Sequence, residues 1–342
     1  MVAPGDSPSM GREAIDAHIE ALRAEDGPRP GPISFAGAWL VGADLHGLDL
    51  SGYDLTGADL SRADLRDAQL VRATLDGATM FETQLEGAEL VGTSLRGTNM
   101  ERCRATKVGF GRCDFRGASM FEADLCGATL TGADLREVDA RAVNLSGARI
   151  REARLEDADL TRAVLSGVDL GDTHVDRACF CSADLRGAQL RNVSGYASAD
   201  WVGVDFRDVC FNGAYLLRRF ALDQNFLAEF RAESPVHAAL YKLWWVTSDC
   251  GRSFARWGLW TLCLAVVFAG LYTLVDLDPG AHESALTPLY FSVVTLTTLG
   301  FGDVLPASPA AQAVAMTEVI LGYVMLGGLL SIFANKMARR AD

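Results

Sequence analysis

The chain has 342 residues and a formal net charge of −13 at pH 7, and 49% of its residues are hydrophobic. Its length exceeds what one core organises and predicts two or more structural units. The acidic balance argues against nucleic-acid binding through a basic face. The eight cysteines include no CxxC pair, so we expect reduced thiols and no metal other than a permeant ion.

Residues 1–32 contain no apolar run of the kind found in signal peptides. Apolar residues at helical spacing predict a helix from Arg12 to Ala24, and a Gly/Pro run over residues 27–32 follows it. Two interpretations of this N-terminal tail stay open. The helix caps the first coil of the repeat array described next, or it belongs to a tail without fixed structure.

From Phe35 to Leu190 a large apolar residue recurs at almost every fifth position, usually with a small residue two positions before it. Neither the strand period nor the helix period keeps one face apolar at this spacing, whereas a chain that turns a corner every five residues does. Gly-Ala-Asp-Leu at residues 57–60 and 132–135 resembles the pentapeptide-repeat family, with its motif A(D/N)LxX. The resemblance implies a right-handed quadrilateral β-helix over residues 33–216, with coils about 4.8 Å apart.

Three features of this array are less regular. The phase slips by one residue within residues 191–198 and then resumes on Trp201, Phe206, Phe211 and Leu216. Ala105 and Ala140 replace large residues, which predicts either a distorted corner that contacts a partner or a tolerated irregular coil. The outward positions are acidic in balance. They form a solvated face or a surface that binds an unknown cytoplasmic protein.

Residues 217–256 are predicted to form a helical linker of two helices separated at Pro235. Trp244, Trp245 and Trp257 precede the first apolar segment. Aromatic side chains favour the membrane–water boundary, so we expect the second helix to lie on the cytoplasmic membrane surface. It is a lever between the two units or a plain linker.

Two apolar segments, residues 257–275 and 310–334, are long enough to cross the hydrocarbon of a bilayer. Basic residues precede the first segment, at Arg252 and Arg256, and follow the second, from Lys336 onward. The loop between the two segments is acidic. The positive-inside rule therefore predicts a two-span domain over residues 257–336, with the repeats, the N-terminus and the tail 337–342 in the cytoplasm.

Thr-Thr-Leu-Gly-Phe-Gly-Asp at residues 297–303 lies between the two spans and resembles the selectivity filter of the potassium channel family. The resemblance implies a re-entrant pore loop, a homotetramer in a bacterial inner membrane and K+ as the permeant ion, with no other cofactor. It also assigns the ion ligands, which are backbone carbonyls: Thr298, Leu299, Gly300, Phe301 and Gly302. Filter support is expected from Thr297 and Asp303 of the same septet, and from Glu318 of the second span.

The filter departs from the commonest pattern, which has Val and Tyr at the positions of Leu299 and Phe301. Some relatives also have an acid and a tryptophan behind the filter, where this chain has Val294 and Phe291. We therefore expect Asp303 to lack its usual partners. A less tightly held filter follows, and with it the alternative of a non-selective or sodium-conducting channel.

The second span contains an acid and three glycines. Glu318 either holds the pore loop or attracts cations, or its side chain extends toward the outer surface. Gly322, Gly327 and Gly328 provide a gating hinge or allow close helix packing.

We find no catalytic constellation and expect no enzyme activity. The prediction is a tetrameric potassium-selective channel with a cytoplasmic repeat domain that serves as scaffold or regulator. A membrane-anchored protein whose repeats bind a target is the alternative from another functional class.

Overall fold

The computed structural model describes residues 12–23, 34–280 and 284–341, and it divides into two compact units, Met1–Phe226 and Leu227–Asp342. The first unit contains helix α1 (Arg12–Arg23), a stack of coils and the start of α2 (Tyr215–Glu233). The elements that follow α2 are α3 (Pro235–Ser248), α4 (Phe254–Tyr272), β1 (Leu277–Asp278), α5 (Thr287–Leu296), β2 (Leu305–Pro306) and α6 (Pro309–Ala341).

The coils of the first unit are held by parallel bridges between residues 20 positions apart, from Trp39↔Asp59 to His174↔Ser194. A separation of 20 residues is four five-residue units, so each coil contains four repeats, in agreement with the predicted period. The large residue of each unit and its small partner point inward, and the pair Ala58 and Leu60 is fully buried. The right-handed winding of the coil stays a prediction.

The predicted phase slip is confirmed by the bridge pattern. Bridges after His174↔Ser194 join residues 21 positions apart, beginning with Cys179↔Asp200. The extra residue therefore lies between Ser194 and Asp200, in a segment of turns and bends. The coil absorbs it without losing its inward apolar residue, since Trp201 is fully buried and stacks on Phe180 with ring centroids 4.4 Å apart.

Of the two interpretations of Ala105, the structure contradicts the distorted corner. The bridges Gln84↔Arg104 and Arg104↔Asp124 continue through this region with unchanged spacing, and Ala105 is buried. The following two units have large inward residues, and Phe110 and Phe115 meet edge to face with centroids 5.3 Å apart. The structure agrees with the alternative of a tolerated substitution, in a coil that stays regular.

The repeats end before residue 216, which corrects the predicted boundary. Leu216 lies in α2 and is 48% exposed, whereas Leu217 and Ala221 are buried in the core of the repeats. In the last coil, backbone N–H groups have no next coil to donate to. The N–H of Trp201 donates instead to Gln224 Oε1, and that of Gly203 to Asn225 Oδ1, each at 2.7 Å. Helix α2 thereby satisfies the open edge.

Helix α1 packs on the first coils. Ile15 and Ile19 are buried in the same core as Phe35. Arg23 donates to the backbone carbonyl of Asp44 at 2.7 Å. In later coils the equivalent carbonyl accepts from an N–H group of the preceding coil, and Asp44 lies in the first coil. The helix ends at Arg23, and Ala24, its predicted last residue, lies outside the described residues.

Helices α3 and α4 of the second unit begin at side-chain caps. Ser234 Oγ accepts from the backbone N–H of His237, and Pro235 occupies the first turn of α3. Ser253 Oγ accepts from Arg256 N and starts α4 at Phe254, three residues before the predicted start of the span. Among the described residues two helical stretches are long and apolar enough to cross a membrane, Phe254–Tyr272 and Pro309–Ala334.

Candidate pore site

The backbone of the loop after α5 alternates in an unusual way. Thr298, Gly300 and Gly302 have φ angles of 57°, 51° and 75°, so every second residue is left-handed. Such alternation lets the carbonyls of successive residues face one side of the chain. Glycine adopts this conformation at no steric cost, which explains two of the three positions. The left-handed Thr298 was not predicted.

The start of this loop is tied to the last turn of α5. The backbone N–H groups of Thr297, Thr298 and Leu299 donate to the carbonyls of Val293, Thr295 and Val294, each at 3.0 Å. The Thr297 hydroxyl donates to the Val293 carbonyl at 2.6 Å. The loop therefore leaves the helix along a defined path, while its tip side chains, Leu299 and Phe301, are largely exposed in the single chain.

The expectation that Asp303 lacks a partner behind the filter is wrong. The hydroxyl of Tyr290, in the first half of α5, donates to Asp303 Oδ2. Phe291 and Val294 occupy the positions that carry the usual partners in relatives, and neither side chain has a hydrogen-bonding group. Tyr290 precedes Phe291, and its long side chain reaches the carboxylate from a neighbouring position. The presence of a tyrosine in the predicted pore helix was the one feature of the sequence that could have pointed to this hydrogen bond.

The end of the loop is held by a two-stranded ribbon. Strands β1 and β2 pair antiparallel, with Leu277 opposite Pro306, and Ala307 N donates to the Asp276 carbonyl at 3.0 Å. Gly280 allows a close approach here, because a Cβ at this position would lie 2.5 Å from the Asp303 carbonyl oxygen. The ribbon thus fixes the backbone at the Asp303 end of the loop.

Glu318 is fully buried in the second unit, so its side chain does not extend toward a surface of the chain. Its Oε2 accepts from the Tyr272 hydroxyl of α4 at 2.7 Å, and its Oε1 lies 2.5 Å from Ser292 Oγ of α5. The carboxyl group therefore connects α6 to both other helices. Sequence reasoning identified the acid but neither partner, because Tyr272 and Ser292 are 46 and 26 residues away along the chain.

Two of the three glycines in α6 sit at close helix contacts. A Cβ on Gly322 would lie 2.3 Å from the Leu296 carbonyl oxygen, and one on Gly328 would lie 2.1 Å from the Trp257 ring. A Cβ on Gly327 would meet nothing within 4 Å. Helix α6 is continuous through all three positions. Close packing explains Gly322 and Gly328, and Gly327 has no contact of this kind.

The ion-channel family matches residues 259–339, and pentapeptide repeats match segments between residues 34 and 194. Two pore potassium channel b of Oryza sativa is 43% identical over 72 residues, which is 21% of this chain and 21% of that protein. Voltage-gated potassium channel Kch of Escherichia coli is 31% identical over 91 residues, which is 27% of this chain and 20% of that one. The chain thus spans about a fifth of the length of these curated relatives.

Solved structures similar to this chain are pentapeptide-repeat proteins. A trypsin-treated form of QnrB1, a plasmid-mediated fluoroquinolone resistance protein, is 20% identical, with a TM-score of 0.46 over 54% of this chain and 97% of that one. HetL of Nostoc is 26% identical, with a TM-score of 0.25 over 57% of this chain and 92% of that one. The family matches, together with the two apolar helical stretches, make the chain a membrane protein that joins pentapeptide repeats, between residues 34 and 194, to an ion-channel domain over residues 259–339, and neither family consists of enzymes.

Proposed function

We propose that the protein is a potassium channel in which four copies of the chain surround one pore. The loop 298–302 of each copy contributes backbone carbonyls that replace the water shell of K+. The observation that carries this proposal is the left-handed backbone at Thr298, Gly300 and Gly302, which lets consecutive carbonyls face one side. The relatives that match the ion-channel domain are potassium channels by name, which supports the same ion.

Selectivity for K+ over Na+ requires a loop that keeps its shape. Two anchors support such a loop: the Tyr290–Asp303 hydrogen bond behind it and the Glu318 contacts between the helices. Thr297 adds a third at its start. We therefore favour a potassium-selective channel over the non-selective or sodium-conducting alternative suggested by Leu299 and Phe301.

In this proposal α5 and the loop re-enter the membrane between α4 and α6, and the repeats lie in the cytoplasm of a bacterial cell. The basic residues that flank the two spans support this orientation. Helix α3 exposes Leu243, Trp244 and Trp245, which suits a helix on the membrane surface. Gly327 is the remaining hinge candidate, because Gly322 and Gly328 serve close packing.

Cation flux into liposomes that contain the purified full-length protein tests this function. We expect flux driven by a potassium gradient, blocked by barium, and little flux driven by a sodium gradient. Equal flux of both ions would contradict selectivity. No flux under any applied voltage or pH would contradict the channel and leave the membrane-anchored binding protein as the better account.

The variant Tyr290→Phe tests the anchor behind the filter. It removes a hydrogen bond to a charged group, worth about 1.5–3 kcal/mol, without changing the ring. We expect the ratio of potassium to sodium flux to fall, with Tyr215→Phe, an exposed tyrosine in the other unit, as the control. An unchanged ratio in Tyr290→Phe would mean that the anchor does not maintain selectivity.

A further inference from the structure

The repeat unit contains a group of metal-ligating side chains that the sequence did not predict. Cys179 Sγ, Cys181 Sγ and a carboxylate oxygen of Asp200 all lie within 4.8 Å of one another. The two sulfurs are 2.7 Å apart, and all three residues are partly buried. The three residues are called the Cys–Cys–Asp cluster below.

The coil geometry assembles the cluster. Cys179 and Asp200 are bridge partners on neighbouring coils, and Cys181 follows Cys179 by two residues. The pair Cys179↔Asp200 is the first bridge after the extra residue, so the separation in sequence is 21 rather than 20. The backbone N–H of Val202 donates to Asp200 Oδ1 at 3.0 Å, which orients the carboxylate.

The donor set suits a borderline-soft divalent cation. Two thiolates and one carboxylate match the ligands of zinc, and three protein ligands leave one tetrahedral position open to water. Zinc–sulfur bonds of about 2.3 Å would separate the two sulfurs by about 3.8 Å. The sulfurs must therefore move apart by about 1 Å, which small side-chain rotations allow.

The charge of the cluster also suits a divalent cation. The Asp200 carboxylate lies beside both sulfurs, and a bound cation would offset its negative charge and stabilise both thiolates.

We propose that Cys179, Cys181 and Asp200 form a binding site for a zinc-class divalent cation on the repeat unit. The bound cation links two neighbouring coils at the point where the separation of bridge partners changes from 20 to 21 residues, and it so stabilises the last coils of the array. The site is independent of the pore, since all three ligands lie in the first compact unit.

Serine variants of the cluster are suited to the fold. Other repeats carry Ser61 and Ser146 at the position of Cys181, and Ser94 and Ser119 at the position of Cys179. Cys181→Ser and Cys179→Ser therefore introduce serine at positions where other coils of the array already have it. Asp200→Asn keeps the size of the side chain and removes its charge. Cys210→Ser is the matched control, because Cys210 is an exposed thiol of the same unit outside the cluster.

Cobalt titration of the reduced full-length protein in detergent tests the proposal. We expect thiolate-to-cobalt charge-transfer absorption that saturates near one cobalt per chain, and displacement by zinc. Cys179→Ser and Cys181→Ser should lose this absorption, Asp200→Asn should weaken binding about tenfold or more, and Cys210→Ser should bind as the wild type does. Absence of the band in the reduced wild type, or equal binding by all variants, would overturn the site.

Thermal unfolding gives a second readout that does not depend on cobalt. Zinc should raise the unfolding temperature of the repeat unit in the wild type and in Cys210→Ser, but not in Cys179→Ser or Cys181→Ser. Circular dichroism of each variant without metal checks that the coil has folded. An equal zinc effect in folded variants that lack a cluster thiol would likewise overturn the proposal.

Discussion

Glu318 illustrates how one carboxyl group is accommodated inside an apolar helical unit. Ser292 Oγ lies 2.5 Å from Glu318 Oε1 and 2.9 Å from the Ala265 carbonyl oxygen. The Ser292 hydroxyl donates to Oε1 and the Tyr272 hydroxyl donates to Oε2. Both carboxyl oxygens therefore have a hydrogen-bond partner, which offsets the cost of burying them in an apolar unit.

This arrangement predicts different outcomes for two substitutions of Glu318. Glu318→Ala leaves the Tyr272 and Ser292 hydroxyls without their buried partner, and we expect it to destabilise the second unit by about 3 kcal/mol and to abolish flux. Glu318→Gln keeps an acceptor for Tyr272 and a donor for Ser292, so stability and flux should largely persist. Thermal unfolding followed by tryptophan fluorescence measures the difference. Equal loss in both variants would mean that Glu318 acts as a charge.

The glycines of α6 provide a matched pair of variants. Gly322→Ala places a Cβ 2.3 Å from the Leu296 carbonyl oxygen, so α6 must move away from the end of α5. We expect the second unit to lose about 1–3 kcal/mol of stability and flux to fall. Gly327→Ala meets no atom of the chain and should stabilise the helix by about 0.5–1 kcal/mol. Tolerance of both would show that the close approach at Gly322 is dispensable.

At the residue scale, the sequence was informative where the signal is local. The filter septet, its two glycines and the acid in α6 are readable because each follows from neighbouring residues or from the cost of a charge in an apolar segment. Tyr290 as the partner of Asp303 was not readable, since it depends on which side chain of α5 reaches the loop. The partners of Glu318 depend on how three helices pack, which no local pattern encodes.

At the element scale, α1 contains a titratable contact with the first coils. The His18 ring packs against Phe35 and Tyr53 with centroid distances of 5.7 and 6.0 Å, and its Nε2 lies 3.2 Å from the Tyr53 hydroxyl. Burial lowers the pKa of the imidazole below its ordinary value near 6.5. The docked helix therefore binds a proton less readily than the undocked helix does.

The sign of the resulting pH dependence follows from linkage. Above pH 6.5 both states are neutral and docking is at full strength, and as pH falls below 6.5 the undocked state gains protons first and docking weakens. Hydrogen exchange of residues 12–23 should become faster at pH 5.5 than expected from chemistry alone. His18→Phe should remove this dependence and keep the ring contacts, while His46→Gln should retain it. Persistence of the effect in His18→Phe would assign it to another group.

The elements themselves were partly predictable. The five-residue period determines the inward positions of the coils, because the spacing of the apolar residues and the bridge spacing express the same geometry. The same period gave a wrong boundary at Leu216, because this residue fits the phase of the repeats but lies in α2. Leu217 and Ala221, four residues apart, are the buried pair, so the helical spacing outweighs the repeat spacing at this boundary. Where the five-residue period of the repeats overlaps the helical period, the sequence alone does not show which residues are buried, and the tertiary packing decides.

At the scale of the whole molecule, the boundary between the two compact units falls within one helix, since α2 continues past Phe226. The repeats need the first part of α2, because Gln224 and Asn225 accept from the last coil. The second unit has its own start at the Ser234 cap of α3. A cut before Ser234 therefore keeps the contacts of the last coil and the cap of α3, although it separates Phe230 and Glu233 from His237. A cut at residue 216 would instead expose the edge of the last coil.

Separate production of the two pieces tests whether conduction belongs to the second unit alone. We expect residues 1–233 to fold as a protein that unfolds cooperatively, and residues 234–342 to conduct potassium in liposomes with the selectivity of the full chain. The shorter repeat piece 1–216 should be at least about 2 kcal/mol less stable, because it loses two edge acceptors and the buried Leu217 and Ala221. If residues 234–342 assemble and insert but do not conduct, the repeats take part in opening the pore. Conduction by 234–342 would instead assign the repeats to regulation or to binding a partner, since the pore would then need nothing from them to pass ions.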